Sequence, residues 1–468
     1  MKTTRTTRLI PRMRQLAASF GLAALLTAAM PEAVRAQDIS PAAGADAAPT
    51  DTLRLSLDQA VGRATQLNED VLMARAEQAR SKGIAREVRA RSLPEISGTM
   101  SYTRNVQRPV IFFNSPEGQQ QISIGDDNEY SFGVTLNQPL LDLSLGPART
   151  AARLDRERSE AQVEGARVSV ALQARVAYYD VLLDRALLRV QEQAIEQARQ
   201  RLDETRKFYE AGTGSEFDLL TAQVEVDNLK PRVIQARNRL ELDRNQFKRI
   251  VGLPLDQPVA LTDSLEAPSE AALQLPSLEA ATEHAMDARP DLQAQRFALG
   301  LQEENIAAEQ RSALPSLDLD AAFTRRASSS DVWPQEQDFT QSVTAGLTLS
   351  VPIFDGRARS GRVQQAKAAA DRERYRLAQL KMNARLDVQQ SYQSMQAALE
   401  TIRASQSTVE RAERALEIAR TRLQNGLSTQ VEQNDAELAV TEARSNYAQA
   451  VYGYRVAKAQ LDAALGER

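Results

Sequence analysis

Most of the chain is written twice. Ser56-Leu57-Asp58-Gln59-Ala60 returns as Ser277-Leu278-Glu279-Ala280-Ala281, and at the same offset Leu93-Pro94 returns as Leu314-Pro315 and Thr103-Arg104 as Thr324-Arg325. Farther along, Gly133-Val134-Thr135-Leu136-Asn137-Gln138-Pro139 returns as Gly346-Leu347-Thr348-Leu349-Ser350-Val351-Pro352, and Gly212 returns as Gly426. A duplication of this size outranks any local signal, because both copies must build the same supersecondary unit. Each copy reads as short helices, strand, strand, a very long helix, a glycine turn and a long helix. The first covers 55–252, with strands at about 95–138, a long helix to 211 and a return helix over 215–250. The second covers 277–468, with strands at about 316–351, a long helix to 425 and a return helix over 428–465. Between them, 253–276 holds Pro254, Pro258, Pro268 and Pro276 and reads as a linker.

Residues 1–36 have the pattern of an export signal. Lys2, Arg5, Arg8, Arg12 and Arg14 precede an apolar stretch from Leu16 to Met30, and Val34-Arg35-Ala36 fits a cleavage site after Ala36. Residues 37–54 are expected to be a flexible N-terminal segment. Six of the 58 basic and one of the 62 acidic residues lie in the leader, which leaves 52 against 61, a net charge of −9. That balance argues against a nucleic-acid partner, which needs a basic face. No apolar run in the mature chain reaches the length of a membrane-spanning helix; the most apolar helical stretch, Val168 to Leu183, is interrupted by Arg175 and Asp180. If the chain spans a membrane, it does so as a closed β-barrel, since an open sheet edge cannot sit in lipid.

Four segments alternate with period two. Ile96, Gly98, Met100 and Tyr102 oppose Ser97, Thr99, Ser101 and Thr103. Tyr130, Phe132, Val134 and Leu136 oppose Ser131, Gly133, Thr135 and Asn137. In the second copy, Leu317, Leu319, Ala321 and Phe323 oppose Ser316, Asp318, Asp320 and Thr324. Val343, Ala345, Leu347, Leu349 and Val351 oppose Ser342, Thr344, Gly346, Thr348 and Ser350. Such strands suit a sheet with its apolar face on a core. They equally suit a barrel with lipid outside and water inside, and the aromatics near the strand ends (Tyr102, Tyr130, Phe323, Phe339) sit where interfacial girdles belong. Four strands cannot close a barrel, so several chains would have to contribute. The connections Asn105–Glu129 and Ala327–Thr340 are expected to be surface loops.

The helices outrun the needs of a globular domain. From Pro147 to Ala211 there is no further proline and one glycine, Gly165, which at 1.5 Å per residue approaches ~100 Å. Val163, Ala166, Val170, Ala174, Ala177 and Val181 recur at helical spacing, with Arg, Glu and Gln between, as in packed coiled coils. Each long helix ends at a glycine and restarts on an apparent capping box, Ser215-Glu216-Phe217-Asp218 and Thr429-Gln430-Val431-Glu432. Pro231 is expected to kink the first return helix.

With these residues in view, the chain resembles a TolC-type outer-membrane factor of a Gram-negative tripartite efflux or secretion system. The resemblance is carried by the leader, the Leu57-Asp58-Gln59-Ala60 opening, Leu93-Pro94 before a strand, Asn137-Gln138-Pro139-Leu140 and Val351-Pro352-Ile353-Phe354. The turns Ala211-Gly212-Thr213 and Asn425-Gly426-Leu427 add to it, and it spans about 55 to 465. It implies a mainly α chain with a transmembrane β-hairpin pair. Three copies would form a 12-stranded outer-membrane β-barrel continuous with a long periplasmic α-helical barrel. It implies partners as well: a periplasmic adaptor (membrane fusion protein), an inner-membrane transporter of RND, ABC or MFS type reached through it, and outer-membrane lipid. It places Gly212, Thr213, Gly426 and Leu427 at adaptor-contacting helix tips, and Asp218, Glu432 and Asp435 at an electronegative entrance constriction. Asp218 and Glu432 also read as capping-box acids; Asp435 has no such role. Where the family pattern sets a Tyr and an Arg around the second turn glycine to latch the gate, this chain has Leu423 and Ser428, so its gate is held differently or more weakly.

The residues for covalent chemistry are missing. With no Cys, the single His284 and five Met after the leader, no zinc or soft-metal site can be assembled, and no cofactor is expected. There is no glycine-rich phosphate loop and no nucleophile–base pair. Trp333 beside Pro334 belongs to a loop. The reading is a passive channel subunit and not an enzyme. The alternative is a periplasmic coiled-coil structural or adaptor protein without a barrel.

Overall fold

The computed structural model describes residues 52–115, 118–267, 277–425 and 427–468. The expected leader with Ala36, most of the segment 37–54, and Gly426 lie outside the described residues. The chain runs β1 (Leu53–Leu55), α1 (Leu57–Leu67), α2 (Glu69–Ala90), β2 (Glu95–Arg104), β3 (Val110–Ser115), β4 (Gly118–Ser123) and β5 (Asn128–Leu141). It continues through α3 (Leu145–Glu210), α4 (Glu216–Ile250), β6 (Val259–Leu261), α5 (Leu278–Ala288), α6 (Pro290–Arg311) and β7 (Ser316–Ser329). It closes with β8 (Phe339–Ser350), α7 (Ala358–Gln424) and α8 (Gln430–Leu465). The duplication is visible in the lengths: α3 and α7 have 66 and 67 residues, α4 and α8 have 35 and 36. The described residues fall into two units, one of strands and one of helices.

The strand unit, Ser92–Asp142 with Pro315–Val351, holds an antiparallel sheet in the order β2-β5-β7-β8. Residues paired across an antiparallel ladder share a face, so the register tests the alternation directly. Gly98, Val134, Phe323 and Val343 fall in one row, and Ile96, Leu136, Ala321 and Ala345 in the next. Tyr102, Tyr130, Ala327 and Phe339 share a row at one end, where the two tyrosine rings lie 4.9 Å apart. The opposite face carries Ser97, Thr135, Ala322 and Thr344, then Thr99, Gly133, Thr324 and Ser342. All four apolar faces thus coincide. One cation intrudes: Arg325 lies in the apolar row of Phe132, beside the aromatic end, with its guanidinium 4.5 Å from the Phe339 ring centre. Every residue of β2 is exposed, and β2 and β8 each have only one neighbour in the sheet.

The connection Asn105–Glu129 is not a plain loop. It contains the β3–β4 hairpin, with Ile111 opposite Ile122. The apolar run Val110-Ile111-Phe112 supplies β-formers without alternation, and pairing with β4 satisfies its backbone. The second connection begins later than expected, because β7 runs to Ser329; it holds the half-exposed Trp333 and a short 3₁₀ turn at Glu336–Asp338.

In the helical unit, α3 packs on α2, α4, α6 and α8, and α7 packs on α6 and α8. Each copy has its own core around its short helices. Ala60, Ala64, Val170, Tyr178, Phe247 and Ile250 belong to the first; Ala281, Ala285, Val388, Met395, Tyr454 and Leu461 belong to the second. Ser56 caps α1 in a full capping box with Gln59, and Ser277 caps α5 at Ala280 N. Residues 53–54 belong to a strand: β1 pairs in parallel with β6 inside the linker, because Leu53, Leu55, Val259 and Leu261 cover the first core. Asp263 secures this pair, its Oδ2 accepting from the Leu57 amide at 3.0 Å and the Tyr178 hydroxyl at 2.9 Å. Pro231 lies within an α4 that runs on to Ile250. No helix among the described residues is long and apolar enough to cross a membrane.

Candidate functional site

The turns that join α3 to α4 and α7 to α8 share a backbone hydrogen bond, from the Thr213 amide to Phe208 O in the first and from the Leu427 amide to Arg422 O at the matching place in the second. At the first, Gly212 adopts φ +73°, a left-handed conformation that suits glycine, and its amide donates to Tyr209 O at 3.0 Å. The Thr213 and Gly214 amides both reach Phe208 O, at 3.0 and 2.9 Å. Gly214, which sequence reasoning passed over, is sterically required: a Cβ there would stand 2.9 Å from the Tyr209 nitrogen. At the second turn the Leu427 amide donates to Arg422 O at 2.8 Å, and Asn425 Nδ2 donates to Thr421 O at 2.8 Å. Large apolar side chains are exposed around both turns, among them Phe208, Phe217, Leu427 and Val431.

Neither restart closes the expected capping box. Ser215 Oγ accepts from Phe217 N at 3.1 Å and leaves Asp218 out; aspartate is one methylene shorter than the usual N3 glutamate. Thr429 Oγ1 accepts from Glu432 N at 3.3 Å, but the Glu432 carboxylate takes the Ser428 hydroxyl instead of turning back to the Thr429 amide. Asp218 and Asp435 make no hydrogen bond or ion pair among the described residues. Among those residues no bond joins Asp218 to Glu432 or Asp435 within the chain. The three acids therefore present their charge to solvent at the restarts of α4 and α8, and capping does not account for Asp218. Leu423 is half-buried and contributes no polar group.

Farther from the turns lies a polar cluster that the sequence reading missed. Arg201 of α3, 9% exposed at its side chain, reaches Glu225 of α4 at 2.9 Å and Glu437 of α8 at 2.8 Å. It also donates to Asn434 of α8. Glu437 in turn takes Arg420 of α7 at 3.2 Å and Gln433 Nε2 at 3.0 Å. The available signal was an arginine at a stripe position, since Ile195, Ala198 and Arg201 are buried at spacing three.

A second cluster accounts for Asp180 inside the apolar stretch of α3 and Asp184 just beyond it. Asp184, 2% exposed, lies 3.1 Å from Arg239 Nε of α4 and beside Asp243, with Asp180 and Tyr452 of α8 adjoining. Burial, then the Asp243 carboxyl, push the Asp184 carboxyl up from 3.8 to about 7. Burial also raises Asp180. A raised acid pKa means that the folded chain keeps a proton which the unfolded chain has lost, so this group's contribution to stability falls as pH rises from 3.8 to about 7. Difference infrared spectra of the intact protein are expected to show a protonated carboxyl band that titrates near pH 7 and is missing from Asp184→Asn. Asp184→Asn should also gain stability relative to the parent above that pH and not below about pH 4. A parent spectrum without such a band would remove the assignment.

The chain is similar to known outer membrane proteins. A family model for outer membrane efflux proteins matches residues 60–253 and 281–467, so its gap falls on the linker between the copies. The alkaline protease secretion protein AprF of Pseudomonas aeruginosa is 25% identical over 347 residues, 72% of this chain and 69% of the relative. The outer membrane protein TolC of Vibrio cholerae is 25% identical over 383 residues, 81% of this chain and 83% of the relative. Among solved structures, the CmeC outer membrane channel of Campylobacter jejuni superposes with a TM-score of 0.73 at 18% identity, covering 88% of this chain and 85% of CmeC.

Proposed function

Because the chain belongs to the outer membrane efflux protein family, and so is a channel subunit of the Gram-negative outer membrane with a large periplasmic portion, we propose that three copies form one passive exit duct. The four-stranded sheets of three chains supply a closed twelve-stranded barrel, and the long helices supply a periplasmic tunnel. The observation that carries this reading is the register. It aligns four apolar faces on one side of a sheet and leaves two long edges, β2 and β8, unpaired. Long exposed edges invite aggregation unless another strand pairs with them, and closure between copies removes them. Exposed apolar side chains along the helices, such as Val224, Met382 and Leu386, support contact between copies there as well.

In this reading the turns form the periplasmic entrance. Gly212, Thr213, Gly426 and Leu427 meet a periplasmic adaptor, which joins the duct to an inner-membrane transporter that supplies the energy. Asp218, Glu432 and Asp435 become rings of carboxylates at the constriction, which favour cations. The chain performs no covalent step; it opens by moving one helix pair against the other. Membrane fractionation with native mass measurement tests the assembly. The expected product is a heat-modifiable trimer of the outer-membrane fraction that needs detergent for extraction. A monomer in the soluble periplasmic fraction would favour the coiled-coil adaptor reading instead.

A further inference from the structure

We infer that Arg201 and Glu437 form the latch that holds the two helix pairs of a protomer together near the entrance, in place of the contact that Leu423 and Ser428 cannot make. The inference rests on the channel reading above. Arg201 belongs to the α3/α4 pair and Glu437 to the α7/α8 pair, and they meet at 2.8 Å with side chains 9% and 11% exposed. Arg201 lies eleven residues before Gly212, and Glu437 eleven residues after Gly426, so the contact sits about 16 Å along the helices from the turns. Among the described residues, Arg201 is the only arginine buried to this degree.

The charges show why this contact can break. Arg201, Arg420, Glu225 and Glu437 sum to zero when the pairs are together. When the pairs part, Arg201 keeps Glu225 within the first pair, at 2.9 Å, and Arg420 keeps Glu437 within the second, at 3.2 Å. Removing one partner of a buried ion pair is costly because it strands a charge. Here neither half is stranded, and within this cluster separation loses only the Arg201–Glu437 pair and the Arg201–Asn434 hydrogen bond. The joined state is also incompletely satisfied, since Arg201 Nε is buried without a partner. A permanent brace has no use for that arrangement; a two-state contact does. The neighbouring tie of Arg444 to Glu413, at 2.7 Å with side chains 39% and 45% exposed, is screened by water and joins α7 and α8 of the same pair. Arg444 reaches across the pairs only through Gln193 of α3, at 3.4 Å.

Planar-bilayer recordings of full-length trimers test the latch. Glu437→Gln, which preserves shape, and Arg201→Met, which preserves the aliphatic stem, are each expected to raise the resting conductance severalfold. The double variant should rise no further than the larger single. Arg201→Lys should restore part of the closure, because a point charge holds one acid but not the bidentate set. Arg444→Met should leave conductance unchanged. Heat-modifiability confirms assembly, and Glu437→Gln decides alone if Arg201→Met does not assemble. A Glu437→Gln trimer with parental conductance overturns the latch and leaves the channel reading standing. Parent and variant trimers that all conduct nothing overturn both.

Discussion

Val343→Arg is expected to abolish the assembled channel, whereas Thr344→Arg, one residue farther on, leaves it assembled. Val343 is 77% exposed in the single chain and shares a row with Gly98, Val134 and Phe323, midway along the apolar face. In a barrel that row faces acyl chains, where an arginine near the midplane costs about 2–4 kcal/mol. Threefold assembly repeats it, so the trimer loses roughly 6–12 kcal/mol. Thr344 lies in the row of Ser97, Thr135 and Ala322 on the opposite face, where water would solvate the guanidinium. The readout is the heat-modifiable trimer in the outer-membrane fraction. Equal behaviour of the two variants would mean that neither face meets lipid, since a soluble sheet exposed on both faces has no reason to distinguish adjacent residues of β8.

The second large effect is on selectivity. Glu432→Gln with Asp435→Asn should reduce the cation preference of the trimer in a salt gradient, and adding Asp218→Asn should reduce it further. Each substitution keeps the shape of the side chain, and the amide oxygen introduced by Glu432→Gln can still accept from the Ser428 hydroxyl. The loss is therefore of charge alone, at two positions in each of three chains. A reversal potential that does not move places these acids away from the constriction. Resting conductance should change much less than in the Arg201 and Glu437 variants, which separates the charge of the entrance from the contact that closes it.

The features legible in the sequence were those written in a short period. Alternation showed which residues of β2, β5, β7 and β8 share a face, because side-chain direction in a strand repeats every two residues whatever its partner. The long helices were equally plain, since nothing breaks the 66 residues of α3. Pairings between distant residues were not legible. β1 and β6 are three residues each and meet across roughly 200 positions of chain, a separation no local pattern encodes. Arg201 was passed over: its one local signal is a charge on the stripe of Ile195 and Ala198, and its partners Glu437 and Asn434 come from the other copy. At the turns the spacing Ser215-x-x-Asp218 matched a capping box, yet the shorter acid did not close it.

The β3–β4 hairpin has a consequence for symmetry. In the trimeric duct proposed above, two similar copies per chain and three chains would give a pore close to sixfold along most of its length. Among the described residues the hairpin occurs once per chain, and the matching connection of the second copy carries a 3₁₀ turn and Trp333 in its place. At the strand ends where these connections lie, the sixfold likeness of the proposed trimer would therefore fall to threefold, with two kinds of loop alternating around the rim. Anything that grips such a rim would find three equivalent handholds, so a ligand of matching threefold symmetry would engage all of them at once, while a sixfold one would not.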